Sequence, residues 1–204
     1  MKHYPSITKD VRKEVYIYAF DKLDGSNIRV EWNNKRGFYK WGTRNQLLDP
    51  NAKPFNAAIP IITEKFENDL AMVCQEKKWK DALFFFEFHG ENSFAGYHDF
   101  DEPMTATLID VNPYKMGIME PATFIRTFKH LDIAKPLFEG HVTELFFDKV
   151  KQSTLKGMTF EGVVCKGKYE TPGLPIMFKI KSQAWLDKLK VYCKGDTNLF
   201  NKLA

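Results

Sequence analysis

Lysines and glutamates placed inside apolar runs are the residues of this sequence best suited to chemistry. Lys22 stands in Phe20-Asp21-Lys22-Leu23-Asp24-Gly25-Ser26-Asn27, a charged turn between two apolar segments. Asp-Gly is a tight-turn signal whatever the function, so the segment taken alone reads as a hairpin. For Lys22 to act as a nucleophile, its amine must lose its proton near neutral pH. Burial and neighbouring cations promote that loss by disfavouring the charged form. A second cationic cluster is therefore expected, and Met177-Phe178-Lys179-Ile180-Lys181 offers one. Strand geometry sends Lys179 and Lys181 to one face and Phe178 and Ile180 to the other. Such a pair is either a solvated face or a cradle for the phosphates of a nucleotide.

Two carboxylates interrupt apolar runs: Glu87 in Leu83-Phe84-Phe85-Phe86-Glu87-Phe88-His89, and Glu161 in Met158-Thr159-Phe160-Glu161-Gly162-Val163-Val164. An unpartnered buried carboxylate costs several kcal/mol, so each should face a cavity, a cation or a hydrogen-bond donor. An edge-strand position would explain either one. Together with the lysines they suit a nucleotide, since carboxylates can hold a ribose hydroxyl or a divalent metal while lysines hold phosphates. His89 shares a face with Glu87 under strict alternation and reads as a hydrogen-bonded structural histidine.

The elements that must position these groups follow from the apolar pattern. Strands are predicted over 14–20, 27–32, 38–43, 83–89, 104–111, 158–166 and 176–181, several of them separated by Gly, Asn or Asp turn signals. Phe55, Ile59, Ile62, Phe66, Leu70 and Val73 recur at helical spacing and predict a long helix over 54–77. Shorter helices are expected from Pro121 and after Ser182, a suitable N-cap. The pattern is α+β with antiparallel sheets. With 204 residues and no repeat or linker, one domain over 1–204 is expected, with 182–204 as a short helical tail.

Composition narrows the class further. At 44% hydrophobic and 27% charged the chain is a folded protein, not a disordered one, and its net charge of +4 names no partner. No run approaches the roughly 20 apolar residues of a membrane helix, and the charged opening does not read as a signal peptide, so a soluble intracellular protein is expected. Cys74, Cys165 and Cys193 form no C-x-x-C pair and read as reduced thiols. A Walker phosphate loop, H-E-x-x-H and G-x-S-x-G are all absent.

The ordered set Lys22-Leu23-Asp24-Gly25, Thr43-Arg44-Asn45, Phe86-Glu87, Leu108-Ile109-Asp110-Val111, Glu161-Gly162-Val163-Val164 and Lys179-Ile180-Lys181 resembles the motif series of the covalent nucleotidyltransferases, the superfamily of ATP-dependent ligases and capping enzymes. Within it, K-x-D-G-S-N is most similar to RNA ligases of the phage RNA-repair and RNA-editing type. The resemblance implies an adenylation domain with antiparallel sheets flanked by helices and the nucleotide pocket between them. It implies that Lys22 attacks the α-phosphorus of ATP, that AMP passes to an RNA 5′-phosphate, and that a 3′-hydroxyl then displaces it. By the same carry-over Asp21 and Leu23 lie at the nucleotide, Asn27 orients the RNA ends, Arg44 contacts nucleotide and 5′-phosphate, and Glu87 holds the ribose. Glu161 is associated with the catalytic Mg²⁺, for which Mn²⁺ can substitute, and Lys179 and Lys181 bind the α-phosphate.

Similar enzymes often stack an aromatic on adenine where this sequence has Ala106, so Ile109 or Phe100 is the expected cover. Relatives also commonly carry a further domain after the paired lysines, and a nearly bare catalytic domain is expected here, with DNA or an accessory protein as alternative partners. The phage likeness further implies a virus-encoded enzyme acting in the host cytoplasm. A DNA ligase and a GTP-using capping enzyme share the chemistry. A non-catalytic binding protein of the same fold, stacking bases on Trp32, Tyr39 or Trp41, is the reading from a different class.

Overall fold

Alternating β-branched and aromatic residues form two four-stranded antiparallel sheets in the computed structural model, which describes residues 1–51 and 53–204. In chain order the strands are β1 (Tyr16–Asp21), β2 (Ser26–Asn33), β3 (Gly37–Thr43), β4 (Asp81–His89), β5 (Thr105–Pro113), β6 (Pro136–His141), β7 (Gly162–Thr171) and β8 (Leu174–Lys181). The helices are α1 (Ala58–Glu76), α2 (Pro121–Phe128), α3 (Glu144–Lys151), α4 (Gln183–Tyr192) and α5 (Thr197–Leu203). The chain divides into two compact units. One comprises Met1–Ser6, Gly25–Ile133 and Tyr169–Pro175; the other comprises Ile7–Asp24, Ala134–Lys168 and Ile176–Ala204.

The first unit is built on the sheet β3-β2-β4-β5. Ile28 and Val30 alternate with Asn27 and Arg29, so one sheet face is apolar and the other carries polar groups. Helix α1 buries Ala58, Ile62, Phe66, Leu70, Val73 and Cys74, with the Phe66 ring 4.9 Å from that of Phe86. Each fully buried Phe of this kind contributes about 2 kcal/mol through the hydrophobic effect. The helix begins later than its apolar spacing implies. Phe55 lies in a 3₁₀ turn ahead of α1 and packs edge-on against His98 and Phe100. Trp32 and Trp41 are buried, which makes them packing residues.

The second unit is built on β6-β1-β7-β8, with the tip of the β7–β8 hairpin assigned to the first unit. Its core joins Ile17 and Ala19 of β1, Val163 and Cys165 of β7, Phe178 and Ile180 of β8, and Phe146 and Val150 of α3. Ser182 caps α4 by accepting from the Trp185 N–H at 3.1 Å. All three cysteines are buried free thiols, and burial pushes the Cys74 thiol up to about 12. Among the described residues no helix is long and apolar enough to cross a membrane.

Two elements went unread in the sequence, β6 and α3. Strand β6 begins with Pro136 and contains Gly140, residues that punctuate rather than build strands. Helix α3 has only eight residues, too short for a periodic signal, and is capped by Thr143, whose hydroxyl accepts from the Phe146 N–H at 3.2 Å. The strand predicted over 158–166 starts instead at Gly162, because the Thr159 N–H and hydroxyl donate to the Asp21 carboxylate and hold that stretch out of the ladder.

Candidate active site

In the second unit, three lysines converge on one carboxylate. Lys22 follows β1 directly, and its N–H donates to the Gly162 carbonyl at 3.0 Å, fixing the backbone next to Glu161. Glu161 is 3% exposed, and its two oxygens take different ammonium groups: Lys22 Nζ at 2.7 Å and Lys181 Nζ at 2.9 Å. Gly162 makes this approach possible. Its φ is +138°, and a Cβ there would lie 2.1 Å from the Ile180 carbonyl oxygen and 2.9 Å from Lys181 Cα, so only glycine lets β7 begin hard against β8.

Lys181 has two further contacts. Its ammonium donates to the Leu203 carbonyl at 3.0 Å and lies 3.4 Å from the centre of the Trp185 ring. Trp185 is fully buried, and its Nε1–H donates to Asp24 Oδ2 at 2.6 Å. Turn residue Asp24 and strand residue Lys181 are thus tied to one indole. Asp21, also buried, accepts from both donors of Thr159, and burial raises its pKa above the ordinary carboxylate range. No local sequence signal marks Trp185 or Thr159. Their partners lie more than a hundred residues away, and Trp185 reads in the sequence simply as an apolar helix position.

Burial, then neighbouring positive charge, brings Lys179 down to about 8; burial brings Lys181 to about 8 as well, with Glu161 opposing the shift in both. Both groups titrate in the unfolded chain near 10.5. The unfolded chain therefore holds more protons between about 8 and 10.5, and the contribution of these lysines to stability rises with pH across that window. Anion binding runs the other way, because the charge that attracts the anion disappears. Sulfate, whose own charge is constant here, is expected to bind severalfold more weakly about one unit above pH 8 than about one unit below it. Calorimetric titration at the two pH values checks this, and equal affinities would contradict it.

In the first unit, Asn27 and Glu87 are direct cross-strand partners in the β2–β4 pairing. Asn27 Nδ2 donates to the Phe86 carbonyl at 3.4 Å, while Oδ1 is buried with no hydrogen bond among the described residues. Gly25 is required by close approach, because a Cβ there would stand 2.5 Å from the Phe88 carbonyl oxygen and 3.0 Å from Glu87 Cγ. Arg44 is exposed just past β3, with its carbonyl bonded to His3 Nδ1 at 2.8 Å. Phe100 packs with Phe55 and His98, and Ala106 is fully buried in β5. His89 bonds to Thr107 Oγ1 at 3.1 Å, and burial lowers its pKa, which fits its reading as structural.

Two buried charges hold the N-terminal segment: Arg29, which carries no sequence signal, and Asp110, which stands in the Leu108-Ile109-Asp110-Val111 motif. Arg29 is 2% exposed and donates to the carbonyls of Thr43 at 2.8 Å and Lys2 at 2.7 Å, anchoring the N-terminal segment to the sheet. Asp110 accepts from the Tyr4 hydroxyl, whose pKa is raised well above its usual value, first by burial.

Among solved structures, the chain is similar to the RNA ligase of Naegleria gruberi. The pyrophosphate-bound form matches with a TM-score of 0.60 and 20% identity over 88% of this chain and 53% of that one. A variant with ATP and manganese matches with a TM-score of 0.60 and 20% identity over 86% and 52%. A ligand-free variant matches with a TM-score of 0.58 and 18% identity over 91% and 59%. The fold is that of an RNA ligase nucleotidyltransferase domain. This chain spans between 52% and 59% of the length of those ligases. No protein-family model matches it, and no curated protein does.

On this nucleotidyltransferase fold the divalent-metal question can be put to the donors present. Among the described residues no three His, Cys, Asp or Glu side chains converge on a point. Glu161 supplies one hard oxygen donor amid the lysines. Both of its oxygens are engaged by ammonium groups, so a divalent cation there would take the place of Lys22 or Lys181 on one of them, with the rest of its shell from outside the protein and not from a closed protein cage.

Proposed function

We propose that the chain is an ATP-dependent RNA ligase that works through a lysyl-adenylate on Lys22. The observation that carries this reading is the buried cluster of Lys22, Lys179 and Lys181 around Glu161. Two amines share one carboxylate and a third, that of Lys179, lies within its electrostatic reach, and the surplus positive charge lowers the cost of releasing a proton from one of them. Deprotonated Lys22 Nζ attacks the α-phosphorus of ATP, and the bond to the β-phosphate oxygen breaks to release pyrophosphate. Lys179 and Lys181 stabilise the negative charge that builds on the α-phosphate. Glu161 would hold a divalent cation, which when bound neutralises phosphate charge.

The remaining assignments belong to the same reading. Glu87 holds the ribose, Asp21 and Leu23 flank the nucleotide, and Arg44 takes the 5′-phosphate. Asn27 aligns the RNA ends, and its buried Oδ1 has a use for a donor there. The 204 residues then act as one adenylation domain with a helical tail. After adenylation, AMP moves to an RNA 5′-phosphate, and a 3′-hydroxyl displaces it to form the phosphodiester.

Incubation with ATP carrying a phosphorus tracer at the α-position is expected to label the chain covalently in Mg²⁺ or Mn²⁺. Added pyrophosphate should remove the label, and 5′-phosphorylated RNA should be sealed in preference to DNA. Absence of label with either metal would sink the reading.

A further inference from the structure

The first unit contains a cleft of about 370 Å³ formed by three separate stretches of chain: the N-terminal segment, the turn after β5 and the tip of the β7–β8 hairpin. Its cationic lining consists of Lys2 and Lys115, with the His3 ring beside them, and no carboxylate lines it. Its size falls within the usual range for small-ligand sites and suits one nucleotide.

Two observations point to a built site. Asn112 lines the cleft from the end of β5 and is 9% exposed. An amide so placed offers two donors and an acceptor, the complement of a base edge. The cleft is also held open by backbone. The Ile118 N–H donates to the Gly173 carbonyl at 2.9 Å, and a Cβ on Gly117 would lie 2.2 Å from Gly173 Cα, so the two turns are locked together without side chains between them. Pro172 and Leu174 supply apolar surface beside the cations.

We propose that this cleft binds one nucleotide of a single-stranded RNA. The phosphate lies against Lys2, Lys115 and His3, and the base lies against the proline and leucine wall with Asn112 at its edge. His3 Nδ1 carries the ring proton, because its partner is the Arg44 carbonyl, which can only accept. The choice of RNA rests on the ligase reading; the cleft and its charge do not.

Fluorescence anisotropy with a short labelled single-stranded RNA tests the site in the intact chain. Joint substitution Lys2→Glu and Lys115→Glu is expected to weaken binding about tenfold and to flatten the slope of log K against log salt by about 0.7, the value for one phosphate contact. Asn112→Ala is expected to weaken binding severalfold with the salt slope unchanged. Labelling of the chain by ATP should be the same in all variants. Wild-type affinity and slope in the double variant, or no RNA binding by the wild-type chain, would overturn the proposal. If ATP fails to label the chain while RNA binding still depends on Lys2 and Lys115, the ligase reading falls and the cleft stands.

Discussion

Lys22→Ala is expected to abolish labelling of the chain by α-tracer ATP, a loss on the order of a thousandfold or more, because it removes the amine that forms the phosphoramide bond in the proposed mechanism. Lys22 Nζ is separated from Lys181 Nζ only by the two oxygens of Glu161, so a rescue by the neighbouring amine is the outcome to look for. The fold should survive the change, since Glu161 keeps Lys181 as a partner at 2.9 Å. On the proposed mechanism the lysine is consumed and released before the strands are joined. The variant should therefore still seal RNA that already carries a 5′-adenylate. Undiminished labelling of Lys22→Ala, with the adduct mapped elsewhere, would remove the central assignment.

The second large effect is expected at Glu161. Truncation by Glu161→Ala leaves the ammonium groups of Lys22 and Lys181, 20% and 8% exposed, facing each other with their shared counter-charge gone. Breaking a buried pair in this way costs about 3 kcal/mol or more. Its pH dependence has a definite sign. Lys181 already titrates at about 8, and loss of Glu161 removes a charge that raises that value, so the deficit should be greatest at neutral pH and shrink as the lysines deprotonate on the alkaline side. Urea denaturation of both proteins across that range gives the comparison. Glu161→Gln retains the volume and an acceptor, and should fall between the two in stability while losing labelling with divalent metal. A Glu161→Ala protein as stable as wild type at neutral pH would show that the carboxylate does not hold the cluster together.

Most of what the sequence disclosed was local. Period-two alternation put Lys179 and Lys181 on the face opposite Phe178 and Ile180, and those two aromatic and aliphatic side chains are indeed buried together in the core. Ser182 was readable as a cap because the N–H that donates to it lies three residues away. Glu161 was recognisable as a carboxylate that needed a cation, but its position was misjudged. The stretch before Gly162 looks like strand by composition, and bonds to distant Asp21 and Ser182 hold it instead. The expected role of neighbouring cations at Lys22 was incomplete for a similar reason: its nearest partner across the fold is a carboxylate. Trp185, Arg29 and Asn112 were illegible because what distinguishes each is a buried environment assembled from segments far apart in the chain.

The interleaving of the two units bears on how the protein comes into being on the ribosome. Lys22 precedes Lys179 and Lys181 in the chain by more than 150 residues, and the latter two belong to the stretch Ile176–Ala204. The four-stranded sheet carrying all three amines cannot close until β8 has emerged, and the Lys181 ammonium finds its Leu203 acceptor later still. A nascent polypeptide stalled anywhere before β8 has Lys22 without the other two lysines, so on the proposed mechanism such a truncated product would be unable to consume nucleotide triphosphate.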